Sequence, residues 1–148
     1  GAGEEAAALE AMARSIGFAT AVADWREDWC SRQRFPLAQT VVGDAGRIVE
    51  ELCIGIRDYV VLASHHLRRD REMLQRLLPL QPEYVGVIGS ARRIGLLFGE
   101  LPIPDFVDAP AGIPIGAEGA AEIAVSIAAR LVQWKSGAEA AVRERRHA

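Results

Sequence analysis

The residues in this chain suited to chemistry are glycines placed where a strand gives way to a helix, with histidine, arginine and carboxylate side chains beside them. Gly1-Ala2-Gly3-Glu4-Glu5-Ala6 reads as G-x-G-x-x-A. Glycines in that pattern let the backbone approach a pyrophosphate at a helix N-terminus, and an acid about twenty residues on meets a ribose hydroxyl. Asp24 stands at that distance, and Arg26 either neutralises a phosphate or pairs with Asp24. Ser64-His65-His66 closes a second apolar run. A histidine at a strand end can donate to a phosphate, move a proton or ligate a metal, or it can simply bond a loop carbonyl. Gly89-Ser90 forms a third turn, with Arg92 and Arg93 just beyond it, either on a ligand or in solvent. A glycine-proline loop carrying Gly112 and Gly116 then leads into a helix with Glu122 near its start. That carboxylate either faces a ligand or complements the helix dipole.

The elements that must position these groups follow from periodicity. Leu9, Met12, Ala13 and Ile16 recur at helical spacing, and Gly17 supplies a C-cap. Phe18 to Ala23, Thr40 to Val42, Tyr59 to Ala63 and Tyr84 to Ile88 read as strands, with a short edge strand at Phe106-Val107. Tyr84 to Ile88 is apolar on both faces, as a central parallel strand must be. Between the strands, Arg47 to Ile54 reads as a helix with Ile48, Leu52 and Ile56 inward and Cys53 as a small core residue. Asp70 is the expected N-cap of a helix carrying Met73, Leu74, Leu77 and Leu78. Leu96, Leu97 and Leu101 finish the helix after Ser90, and Pro102 ends it. Ala120 to Trp134 is the last helix, with Ile123, Ala124, Ile127 and Leu131 inward and no assigned partner for Trp134.

This alternation predicts an α/β, three-layer Rossmann-like domain with a mainly parallel sheet over residues 1–135, followed by a C-terminal tail at 136–148. A glycine turn of the Gly1–Gly3 kind follows a strand, so a first strand ahead of Gly1 is expected. His65 is then expected to face Gly1–Gly3 across the crevice at the switch point of the sheet.

Composition narrows the partners. The net charge of −3 provides no field for nucleic acid, and Arg143-Glu144-Arg145-Arg146-His147 reads as a solvated helix end. Two cysteines are too few for a disulfide framework, which points to a cytoplasmic setting, and Cys30 reads as an idle loop thiol. No apolar run approaches the ~20 residues that span a bilayer, so no membrane partner is expected.

Three segments resemble the Rossmann-like domain of the XdhC/CoxI family, accessory proteins of xanthine dehydrogenase and related molybdenum hydroxylases. They are Val60-Val61-Leu62-Ala63-Ser64-His65 with Asp70; Tyr84 to Arg93; and Pro110-Ala111-Gly112 through Gly116 into Glu122 to Ile127. Gly17-Phe18 through Asp24-Trp25-Arg26 and Arg34-Phe35-Pro36 also fit. The resemblance implies a nucleotide-binding type of fold used as a non-catalytic chaperone. Such a protein holds molybdenum cofactor (molybdopterin) and delivers it to a molybdenum hydroxylase, its partner chain. The expected cofactor-binding set is Gly1, Gly3, Asp24, Arg26, Ser64, His65, Gly89, Ser90, Arg92, Arg93, Gly112, Gly116 and Glu122, converging on one anion-receiving pocket. No catalytic residue and no protein-held metal are expected. The alternatives are an NAD(P)-binding oxidoreductase, suggested by Gly1, Gly3 and Asp24, and an interaction module that retains the fold without a ligand. A homodimer through the last helix is compatible with each.

Overall fold

The structure, a computed structural model, describes residues 1–147; of these, the side chains at 140, 142, 143 and 145–147 are not described. The basic side chains expected at Arg143, Arg145, Arg146 and His147 therefore lie outside the described residues. Helices and short strands alternate: α1 (Glu4–Ser15), β1 (Ala21–Asp24), β2 (Gln39–Val42), α2 (Ala45–Leu52), β3 (Tyr59–Leu62), α3 (Leu67–Leu77), β4 (Tyr84–Val87), α4 (Ala91–Phe98), β5 (Val107–Asp108) and α5 (Gly119–His147). A 3-10 turn at Leu78–Leu80 follows α3. β1 pairs with β2, β3 with β4 and β4 with β5, all parallel. The strands fall into two groups, β1-β2 and β3-β4-β5, because β1 and β3 do not bond to each other.

Alternation along the strands separates two cores. On one face Leu62, Val85, Val87 and Val107 pack against Leu74 and Leu77 of α3 and Ile94 and Phe98 of α4. On the other, Ala63, Tyr84 and Ile88 pack against Leu9 of α1 and Ala124, Ile127 and Leu131 of α5. Helices thus cover both faces of a parallel sheet, which is the three-layer Rossmann-like arrangement. β4 is buried at every position. Among the described residues no helix is long and apolar enough to cross a membrane.

Local chemistry sets the helix starts. The Asp44 carboxylate accepts from Arg47 N at 2.9 Å and the Ser90 hydroxyl from Arg93 N at 3.2 Å, each a side-chain N-cap. α1 begins at Gly3 with no side-chain cap, and Glu4 and Glu5 in its first turn complement the helix dipole instead.

Several local expectations are corrected. α2 stops at Leu52, so Cys53 is an exposed left-handed C-cap (φ 50°) rather than a core residue, and Ile56 is exposed beyond it. α3 is capped by His66, whose Nδ1 accepts from Arg69 N at 3.4 Å, while Asp70 is buried one turn further in. α4 ends at Phe98, leaving Leu96 and Leu101 exposed. The edge strand is Val107–Asp108, one residue later than its apolar pattern suggests. α5 continues to His147 across the expected boundary at 135. Trp134 does have a partner: its Nε1 donates to the Glu83 carbonyl at 3.0 Å and its ring meets Tyr84 edge-on at 5.0 Å.

Tyr84 is fully buried, and its ring lies over Gly86, where an added Cβ would sit 2.7 Å from the phenol oxygen. Gly86→Ala is therefore expected to cost about 1–3 kcal/mol by overpacking. Gly95→Ala, in α4 with open space around it, is expected to be neutral or to stabilise by up to about 1 kcal/mol. Thermal or urea unfolding of the two variants against the parent checks the contrast.

Candidate functional site

The turns that follow β1, β3 and β4 and the loop that follows β5 lie at the strand ends and are held by three aspartates. The first anchor is Asp24, 1% exposed at the end of β1. Its Oδ2 accepts from Ala2 N at 2.8 Å and Arg26 Nη2 at 2.9 Å. Its Oδ1 accepts from the backbone N and the Nε of Arg26 at 2.8 and 2.9 Å. Burial alone would push this carboxyl up, but the hydrogen bonds from Arg26 and Ala2 outweigh it and hold the group below its usual value. Of the two roles open to Arg26, the structure contains the pairing with Asp24. The same guanidinium lies between the rings of Trp25 and Trp29, at 4.3 and 4.2 Å from their centroids.

His65 adopts a left-handed conformation, φ 57°, which is uncommon for a residue with a side chain. Strained backbone of this kind persists where its surroundings hold it, and it collects at functional sites. Here the hold is Glu5 in the first turn of α1, whose Oε1 lies 3.1 Å from His65 Nε2. Gly1 lies against the same turn, since a Cβ added there would collide with the Ala63 carbonyl.

Asp70 is the second anchor, 2% exposed. Its Oδ1 accepts from the Ser64 hydroxyl at 2.5 Å, and its Oδ2 accepts from Arg93 Nη2 at 2.6 Å. Arg93 is thus turned inward, and its Nε is buried without a partner among the described residues. Arg92 is exposed on the same turn, and Gly89 allows Arg93 to fold back, as a Cβ there would lie 2.7 Å from Arg93 Cδ.

The third anchor is Asp108, whose Oδ2 accepts from Tyr84 Oη at 2.8 Å and Gly112 N at 2.9 Å, with Arg130 Nε at 3.4 Å. Burial, together with the neighbouring Asp108 carboxylate, pushes the Tyr84 phenol well above its usual range. Ala111 N donates to the Val87 carbonyl at 2.9 Å, so the glycine-proline loop starts at the end of β4. Gly112 is buried with φ 102°, and a Cβ there would collide with Ser126 Oγ. Ser126 donates to the Ile113 carbonyl at 2.6 Å, while Glu122 is exposed and accepts from Glu118 N at 3.3 Å. Ser126 and Glu122 therefore part company, one inward and one outward. Gly116, at φ 72°, has open space beside it.

Of the expected site residues, Gly1 and Gly3 lie just ahead of α1, Asp24, Arg26, Ser64, His65, Gly89 and Ser90 at or just after the ends of β1, β3 and β4, and Arg92 and Arg93 in the first turn of α4. Gly112 docks at the neighbouring strand end. The bond to Glu118 ties Glu122 to its own loop rather than to the histidine turn. Sequence reasoning passed over Glu5 and gave Asp70 a cap's role. The signal for Glu5 was present, because an acid in the first turn of α1 faces the strand that follows the crossover, but dipole complementation explained it equally well. Among the described residues no group of three His, Cys, Asp or Glu side chains is placed to hold a metal ion. Cys30 is buried, its thiol directed at the Val22 and Val41 carbonyls and its pKa raised chiefly by burial.

Asp24→Asn removes the charge that Arg26 and Ala2 N are set to meet, and is expected to cost about 1–3 kcal/mol at neutral pH. Because the folded-state pKa of Asp24 is lowered from 3.8, its contribution is complete above that value and is lost as pH falls through the depressed one. Denaturant unfolding of both proteins between pH 7 and pH 2 should therefore show their stability gap closing at the acid end.

Residues 1–131 match the family model for the XdhC Rossmann domain. A Bacillus subtilis (strain 168) protein named as a probable xanthine dehydrogenase subunit is 36% identical over 137 residues, which is 91% of this chain and 41% of that protein. The uncharacterized protein YqeB of Escherichia coli (strain K12) is 31% identical over 147 residues, 93% of this chain and 27% of its own. A crystal structure of a xanthine dehydrogenase from Bacillus halodurans superposes with a TM-score of 0.87 at 35% identity, over 93% of this chain and 41% of that one. The chain spans less than half the length of each of these relatives. With the three-layer parallel fold and the joined strand-end turns, the match places this chain in the XdhC Rossmann-domain family.

Proposed function

We propose that the strand-end turns bind an anionic heteroaromatic ligand, and that this ligand is molybdenum cofactor held for transfer to a xanthine dehydrogenase-type molybdenum hydroxylase. The observation that carries the reading is the joining of three turns through side chains. Gly1 abuts Ala63, His65 pairs with Glu5, and Arg93 reaches Ser64 through Asp70. A molybdopterin is a flat heteroaromatic with a phosphate, or with a pyrophosphate in its dinucleotide form. α1 has no side-chain cap, so its first-turn N–H groups are open to an oxyanion. Arg92 adds exposed positive charge, and His65 is half-exposed beside them. Glu4 and Glu5 stand in the same turn, and the pairing of Glu5 with His65 draws one of these charges toward the imidazole.

In this reading the domain is an accessory, non-catalytic one. It positions and shelters its cargo, and the redox chemistry belongs to the hydroxylase that receives it. The xanthine dehydrogenase names carried by its relatives support that choice of partner. A nicotinamide cofactor is the second reading, favoured by the glycine pattern and Asp24. It requires the Asp24 carboxylate, fully shielded from solvent, to release one of its present donors to a ribose hydroxyl.

The test is to mix the protein with released molybdenum cofactor and follow the complex by gel filtration. Retention by the parent is expected, with at least a tenfold loss for His65→Ala combined with Arg92→Ala, as for removal of charged hydrogen bonds. Retention that the double variant leaves unchanged would overturn the site. Micromolar binding of oxidised or reduced nicotinamide dinucleotide in calorimetry, without cofactor retention, would favour the second reading.

A further inference from the structure

Glu4 and Glu5 are neighbours in the first turn of α1, yet their side chains part. Glu4 is exposed, whereas the Glu5 side chain is 19% exposed and reaches the turn after β3. Its Oε1 lies 3.1 Å from His65 Nε2. A carboxylate oxygen only accepts, so Nε2 is the donor in this contact. The second oxygen, Oε2, stands over the glycine turn, 3.8 Å from where a Cβ on Gly3 would be. The two turns also touch directly, since a Cβ on Gly1 would lie 2.7 Å from Ser64 N. One carboxylate of the chain therefore bridges the glycine turn and the histidine turn. That is the position an oxyanion held by both turns would take.

A helix start draws anions, and here the chain supplies one of its own. Glu5 is tethered beside His65, so it competes as a group at high effective concentration. A ligand anion and Glu5 cannot both take the single Nε2 proton. The imidazole remains 53% exposed, so an anion arriving from solvent can reach it. Displacing Glu5 costs the same whatever the anion is. If Glu5 holds His65 in about nine molecules of ten, every ligand bound through His65 loses about tenfold in affinity. Simple repulsion between like charges behaves differently, because it grows with ligand charge and is screened by salt.

We propose that Glu5 is a built-in competitor at the strand-end turns. In the empty protein its carboxylate holds His65, a bound anion displaces it, and its return to His65 accompanies release. Affinity is thereby kept below what the turns alone would give, which suits a domain that must hand its cargo on. This rests on the reading of the turns as an anion site and adds how that site is emptied.

The test is titration with inorganic pyrophosphate and with inorganic phosphate, followed by amide NMR in about 0.5 M salt, where exposed charges are screened beyond about 4 Å. The parent is compared with Glu5→Gln, Glu5→Ala, Glu4→Gln, His65→Ala and Glu5→Ala combined with His65→Ala, each checked for folding by its spectrum. Both Glu5 variants are expected to tighten the two anions by one common factor of about fivefold or more. Glu4→Gln should change binding by less than about twofold. In the His65→Ala background Glu5→Ala should bring no gain. A larger factor for pyrophosphate than for phosphate, or an equal gain from Glu4→Gln, would reduce Glu5 to a repelling charge and overturn the proposal. Weaker binding by both Glu5 variants would overturn it too, by making Glu5 a support for His65. So would absence of binding by the parent and the Glu5 variants alike. Retention of molybdenum cofactor by the parent tests the identity of the cargo separately: its failure, with the variants behaving as stated, would remove the cargo and leave the competitor.

Discussion

A parallel strand in a three-layer domain has two edges to pair and two faces to cover. β4 meets all four demands, bonded to β3 and β5 and buried at every residue. β1 bonds to β2 and β3 to β4, and a cavity of about 610 Å³ is lined by residues of both β1 and β3. Gly1 joins these elements, because the same residue pairs with β1, abuts the end of β3 and opens the turn into α1.

The strand ends repeat one device. Asp24, Asp70 and Asp108 each carry an arginine and also take a backbone N–H or a hydroxyl from another segment. A buried carboxylate is expensive unless it is paired and fully hydrogen-bonded, and such pairs do more for specificity of geometry than for net stability. Here each pair locks one turn to the next element. Asp24 ties the first glycine turn to β1, Asp70 ties the turn after β3 to the turn after β4, and Asp108 ties the glycine-proline loop to Tyr84. The exposed side chains of His65 and Arg92 are therefore carried on turns whose positions are set from beneath by charge. The left-handed backbone at His65 is a local strain that this support tolerates.

Much of this was legible in the residues. The apolar runs at Tyr59–Ala63 and Tyr84–Ile88, with glycine or serine at their ends, read as buried parallel strands; both form parallel strands, with β4 wholly buried and β3 half-buried over Tyr59 to Val61. The Asp44 and Ser90 caps follow from residue type, since a short oxygen-bearing side chain before a helix finds its free N–H groups whatever surrounds it. Errors fell where local pattern and tertiary environment part. Cys53 and Ile56 fit a helical stripe that the chain abandons at Leu52. Asp70 has the composition of a cap, but the inward-turned Arg93 and the Ser64 hydroxyl recruit it for another purpose. Trp134 found its partners in Glu83 and Tyr84, far back along the chain, which no periodicity reports.

The sequence by itself determined the class of fold, the order of its elements and the strand-end location of the glycine turns. Those follow from periods of two and 3.6 residues and from backbone freedom, which are local properties. Only the tertiary structure decided which side chains meet. Glu5 and His65, or Asp70 and Arg93, are brought together by crossovers that return the chain to one edge of the sheet. It alone also decided which strands pair, β1 with β2 and β4 with both β3 and β5, because pairing between strands is a relation across the chain that no single stretch of residues contains.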